Sequence, residues 1–151
     1  MSNNFALPDF PFSLTHEIRD RCLCLHVQRA ARALARRFDE ALRPVGLTQG
    51  QFSLLVSLNR PSPPAMGDVA KLLVLDRTTL TANLKPLERR GLVKIKVDPQ
   101  DRRSRRLVLT DAGRAVLAAA APIWKRTHVR TERALKTATP GEMRAGLGEL
   151  G

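Results

Sequence analysis

Ten lysines and arginines crowd into residues 77–106 (Arg77, Lys85, Arg89, Arg90, Lys94, Lys96, Arg102, Arg103, Arg105, Arg106) against three acids, Glu88, Asp98 and Asp101. That thirty-residue stretch supplies +7 of the chain's formal charge of +12. Such a concentration of cations suits a polyanion. The residue types around it point to double-stranded DNA. In Asp76-Arg77-Thr78-Thr79-Leu-Thr81-Ala-Asn83-Leu-Lys85, Arg can fork onto guanine, Asn can pair with adenine, and a threonine methyl can touch the thymine methyl. Thr78 and Thr79 can equally bond phosphate. Lys85, Arg89 and Arg90 neutralise backbone charge, which positions a protein without specifying sequence. Further on, Asp101-Arg102-Arg103-Ser-Arg105 puts arginines on a narrow turn of the kind that enters a minor groove. Asp101, two residues before Arg103, is placed to hold its guanidinium in a carboxylate fork. Either stretch alone is also compatible with a hydrated charged surface.

These residues need elements to hold them. Residues 1–14 carry scattered Pro and Phe without periodicity and read as an extended arm. From about His16 to Leu42, Leu23, Val27, Ala31, Leu34, Phe38 and Leu42 recur every three or four residues, which predicts an amphipathic helix ended by Pro44 and Gly46. Thr48-Gln-Gly-Gln51 has the form of a capping box opening a helix over 49–58, with Phe52, Leu55 and Val56 inward. The Pro61–Pro64 stretch is a loop. A short helix over 67–74 should turn Val69, Leu72 and Leu73 inward. Asp76 then caps a helix over 77–90 that Gly91 closes. Pro86 inside it removes a hydrogen bond at a nominal cost of ~3 kcal/mol, so the helix must bend there or be held by packing. Leu92–Val97 alternates as a strand, Asp98–Ser104 is a turn, and Arg105–Leu109 is the return strand. Thr110-Asp111 caps a long helix to about 137, with Leu117, Ala121, Trp124, His128, Thr131 and Leu135 on one face and a kink at Pro122. Pro140 opens a last short helix, weakened by Gly146 and Gly148. The fold class is mostly α with a small β-hairpin wing: a winged helix-turn-helix between terminal helices.

Other chemistries lack their residues. No glycine-rich phosphate loop, Gly-x-Ser-x-Gly elbow or His-Glu-x-x-His occurs, so no enzyme and no cofactor is expected. Cys22 and His26 are spaced i, i+4, but two ligands make no zinc site, and no metal is expected. With 43% hydrophobic and 26% charged residues, the chain reads as an ordinary globular protein. No apolar run is long enough to span a membrane, and the first residues do not resemble a secretion signal, so a cytoplasmic protein with no membrane partner is expected.

The stretches LDRTTLTANLKPLERRGLV and DPQDRRSRRLVLTDAG, with GLTQGQFSLL upstream, resemble the multiple-antibiotic-resistance (MarR) family of bacterial transcriptional regulators. The likeness runs from about His16 to 137 and includes the Asp-x-Arg of the wing, Asp101-Arg102-Arg103. It implies a homodimer on an inverted-repeat operator, residues 77–85 reading the major groove and Arg103 entering the minor groove. It also implies repression relieved by a small phenolic or other apolar anionic effector, or by an oxidant. On that reading 1–15 is an N-terminal arm and 16–46 a first dimerisation helix. Residues 47–110 form the winged helix-turn-helix, 111–151 form C-terminal dimerisation helices, and the whole is one compact domain. Against the family, the last helix is short and glycine-rich, and Pro86 interrupts the recognition helix. A branch of the family senses hydroperoxides through a cysteine whose place Cys24 takes. That branch supports its cysteine with tyrosines, and this chain has none. Cys24 is thus either a redox sensor or a small buried apolar residue. On one continuous helix Cys22 and Cys24 would point about 200° apart, against an internal disulfide. Trp124 is either core or the lining of an effector pocket, and His128 a hydrogen-bonded interface residue. The alternative to a sequence-specific regulator is a non-specific basic nucleic-acid-binding protein, marked by salt-sensitive binding without sequence preference.

Overall fold

The computed structural model describes residues 8–151. The described residues divide into two compact units, one ending at Leu34 and one over Ala35–Gly151. The helices are α1 (Phe12–Arg21), α2 (Leu23–Leu42), α3 (Gln49–Leu58), α4 (Met66–Leu73), α5 (Arg77–Arg89), α6 (Asp111–Arg133) and α7 (Pro140–Gly148), with the antiparallel pair β1 (Val93–Val97) and β2 (Arg105–Leu109) between α5 and α6. A mostly helical chain with one hairpin is what the sequence predicts.

The first unit departs most from the expectation. Residues 1–7 of the expected arm lie outside the described residues, and from Phe12 the chain is already helical. The helix expected to run unbroken from His16 is interrupted at Cys22, which is extended at φ −69°, ψ 107° and caps α1 through a bond from its N–H to Ile18 O. No proline or glycine announces that break. The apolar stripe is real, but its N-terminal part is uncovered: Leu23, Val27 and Leu34 are exposed.

In the second unit the core gathers Phe38 and Leu42 of α2 with Leu54, Leu55 and Leu58 of α3, Val69 of α4, and Leu80, Leu84 and Leu87 of α5. Val93, Leu107 and Leu109 of the hairpin and Ala120 of α6 complete it. The caps foreseen for three helices are made. Thr48 and Gln51 form the reciprocal box, Asp76 accepts from the Thr79 N–H at 2.7 Å, and Thr110 accepts from the Gly113 N–H at 3.1 Å. A fourth, Thr139 with Glu142, opens α7 and went unread in the sequence although it has the same Thr-x-x-acid form. Two inward assignments fail: Val56 and Leu72 are exposed, because α3 buries Leu54 beside the expected Leu55 and α4 buries Ala70 beside the expected Val69. Pro86 sits inside an unbroken α5, whose leucines are fully buried and hold it by tertiary packing. The carbonyl deprived of its partner is that of Ala82, an exposed residue, where water can satisfy it. α6 likewise continues through Pro122 to Arg133. Among the described residues no helix is long and apolar enough to cross a membrane.

The hairpin is fixed to α6 by a close approach. A Cβ on Gly113 would lie 2.3 Å from Leu92 O and 2.6 Å from Leu109 Cδ1. Gly113→Ala should therefore force the first turn of α6 off the hairpin and destabilise the protein by about 1–3 kcal/mol. Urea unfolding measures this, and an unchanged midpoint would mean that the contact is loose.

Candidate nucleic-acid interface

α5 has two faces because its apolar residues recur at 80, 84 and 87. Those three are buried, while Arg77, Thr78, Thr79, Thr81, Asn83, Lys85 and Arg89 are all exposed. At its start Asp76 is committed to the fold. The Thr79 amide, then the Thr79 hydroxyl at 2.8 Å, donate to its carboxylate and hold it below the usual carboxylate range. Thr79 is thereby occupied, and the Thr81 hydroxyl donates to Arg77 O at 2.7 Å. Arg77, Thr78, Asn83 and Lys85 make no side-chain hydrogen bond among the described residues, so their polar atoms face solvent. The far end of α5 is tied down separately: Arg90 Nη1 donates to Gly46 O at 2.7 Å, and Gly46 takes the left-handed conformation at φ +69°.

The hairpin pairs Val93 with Leu109, Ile95 with Leu107 and Val97 with Arg105. Alternation puts Val93, Leu107 and Leu109 into the core and leaves Lys94 and Lys96 exposed. Its turn is organised by a carboxylate that the sequence reading passed over. Asp98 is only 5% exposed. One of its oxygens accepts from the Gln100 N–H at 2.9 Å and the other from Arg106 Nε at 2.7 Å. Arg106 also donates to Pro63 O at 3.3 Å, and Leu107 N–H to Pro64 O at 3.0 Å, so the proline loop braces β2. The role expected of Asp101 is corrected. Its carboxylate accepts from the backbone N–H of Arg103 at 3.0 Å and makes no fork with the guanidinium, because that bond closes the turn locally. Arg102 and Arg103 are exposed. Arg105 is half-buried and donates to the carbonyls of Arg102 and Ser104, which makes it a brace of the turn.

Away from this face, Phe52, Val56, Leu117 and Ala121 line an open apolar cup of about 380 Å³ between α3 and α6. Arg114 lies at its rim, with Nη1 donating to Asn59 Oδ1 at 3.0 Å. Trp124 packs against the core, stacks on His128 with centroids 4.6 Å apart, and lies 6.4 Å from the Phe52 ring. His128 Nε2 is 3.1 Å from Glu132. In the other unit Cys24 is exposed, its sulfur 3.4 Å from the Gln28 amide nitrogen, and Cys22 is half-buried; both are free thiols.

The MarR family model matches residues 47–104, the span from the α3 cap to the end of the wing turn. The M. tuberculosis transcriptional regulator MosR, solved in complex with DNA, is 35% identical. The match covers 86% of this chain and 93% of MosR with a TM-score of 0.79. The chain belongs to the MarR family. A transcriptional repressor, CouR, solved on a 23-mer DNA duplex, is 30% identical over 95% of this chain and 96% of its own, with a TM-score of 0.73. CouR from Rhodococcus jostii RHA1 has also been solved with p-coumaroyl-CoA bound; that chain is 25% identical, with coverage of 87% and 92% and a TM-score of 0.73. The transcriptional activatory protein BadR of Rhodopseudomonas palustris is 34% identical over 97 residues, 62% of this chain. The chain spans about half, 55%, of the length of BadR. The winged helix-turn-helix expected from the sequence is thus the architecture of a family of regulators, not of enzymes.

Asp98 gives the wing an acid limit. Its folded-state pKa is depressed, first by the Gln100 N–H and also by Arg106. Its contribution to stability is therefore present above the ordinary carboxylate pKa of about 4 and is lost as pH falls below it. Asp98→Asn should lower stability near neutrality and flatten the acid limb of a urea-unfolding series between pH 6 and pH 3. An acid limb identical to that of the parent protein would remove Asp98 from the account.

Proposed function

We infer that this protein is a sequence-specific, DNA-binding transcriptional regulator acting as a homodimer on an inverted repeat. The observation that carries this reading is the pairing of two exposed elements held by one core. One is the N-terminal half of α5, bearing Arg77, Thr78, Thr81 and Asn83; the other is a turn whose Arg102 and Arg103 pair with no acid among the described residues. On this reading α5 enters the major groove, Arg77 and Asn83 meet base edges, Thr78, Lys85 and Arg89 meet phosphates, and Arg103 enters the minor groove. Asp76, Thr79, Asp101 and Arg105 shape the elements that do so. A homodimer is supported by the uncovered apolar residues Leu23, Val27 and Leu34 in one unit and Leu147 and Leu150 in the other, since exposed patches of this kind mark contact surfaces. A cytoplasmic location goes with this reading.

Regulation by an apolar anion is supported by the cup between α3 and α6, which offers an aromatic floor and one guanidinium. An aromatic carboxylate, or a thioester such as the p-coumaroyl-CoA solved with CouR, matches that chemistry, and release from DNA on binding makes the protein a repressor. Control by oxidant is a second reading, favoured by the exposure of the Cys24 thiol.

Arg103→Ala should weaken binding to a specific duplex by about 1–3 kcal/mol and leave the dimer intact, whereas Asn83→Ala should change the preferred sequence more than the salt dependence. Fluorescence anisotropy across a salt series reads both. Full affinity in the Arg103 variant would take the wing out of the interface.

A further inference from the structure

Among the described residues one non-glycine residue has a positive φ: Val74, at φ 53°, ψ 47°. It caps α4, its N–H reaching the carbonyls of Ala70 and Lys71, and the N–H of Leu75 bonds Ala70 O at 2.9 Å. This left-handed position at a helix end ordinarily belongs to glycine or asparagine. A Cβ there crowds the backbone carbonyl, and a β-branched side chain is an outlier. Packing would normally offset such strain. Val74 has none to offer, being 88% exposed, while Leu73 and Leu75 on either side pack against the core. Leu72 and the neighbouring Lys71, Asp76 and Arg77 are exposed as well. A strained side chain that contributes nothing to the folded core points to use elsewhere.

Its place in the chain indicates where. Val74 lies two residues before Asp76, in the turn that delivers the N-terminus of α5. A helix entering the major groove by its N-terminus brings this turn to the groove with it. In that groove the base-edge group that an aliphatic side chain recognises is the thymine C5-methyl. We propose that Val74 is a specificity-determining residue that packs against a thymine methyl at one position in each half-site. The proposal rests on DNA binding through α5.

Two substitutions, one on each molecule, test it. Val74→Gly deletes the side chain and the strain together, so its thermal midpoint should equal or exceed that of the parent protein. On the duplex enriched from randomised DNA, replacing each thymine in turn by deoxyuridine deletes one methyl and leaves the hydrogen-bonding edge intact. One position per half-site should weaken the parent protein about fourfold, the worth of one buried methyl group, and leave Val74→Gly unaffected. Equal losses for the two proteins at every thymine would overturn the assignment, as would a Val74→Gly variant with unchanged affinity and preference. If the parent protein shows no sequence preference at all, the reading of the preceding subsection fails and this one with it. A preference that survives Val74→Gly unaltered defeats this assignment alone.

Discussion

Three leucines on one face of α5, Leu80, Leu84 and Leu87, are fully buried, and what the protein presents on the opposite face follows from that. Burying each contributes about 1.5–3 kcal/mol, so together they outweigh the ~3 kcal/mol that an internal proline nominally costs. The helix therefore continues through Pro86, and its rotation is fixed. With 80, 84 and 87 inward, Arg77, Thr78, Thr81, Asn83, Lys85 and Arg89 have nowhere to go but outward. The Asp76 cap and the Arg90–Gly46 bond then fix the two ends.

The wing depends on the same core through different forces. Leu107 and Leu109 bury β2 in that core, where it meets α3 and α4, and Gly113 lets α6 come within contact of Leu92 and Leu109. Beyond the apolar part, the turn is held by the Asp98 carboxylate, the Asp101 carboxylate and the Arg105 guanidinium. Each of these polar groups is spent on the backbone of the turn or, for Asp98, on Arg106. Among the described residues the Arg102 and Arg103 guanidinium groups make no hydrogen bond or ion pair, so the turn is organised internally and cationic externally.

Much of this was legible in the sequence because it is local. Periodicity located α3 through α6 to within a few residues, and caps of the form Thr-x-x-Gln, Asp at 76 and Thr at 110 can be read from spacing. Faces were harder where a helix is apolar nearly all round. In Phe52-Ser-Leu-Leu-Val-Ser-Leu58 no pattern says that Leu54 is in and Val56 out. Long-range polar contacts could not be read at all. Arg106 reaching Asp98 and Pro63, or Arg90 reaching Gly46, needs the tertiary fold to bring them together, and the expected Asp101–Arg103 fork failed for the converse reason, since a nearer backbone N–H took the carboxylate. The break at Cys22 carries no sequence signal, and it removes the geometric argument that set the two thiols on opposite sides of one helix.

On the proposed function, α5 and the wing of two chains read one symmetric DNA site. Affinity selection of the protein on randomised duplex DNA at near-physiological salt tests it most directly. A dimeric reader enriches an inverted repeat with half-sites about one helical turn apart, some 10 base pairs centre to centre. Tight binding at low salt with no enriched sequence would contradict it and leave a basic protein that grips any nucleic acid.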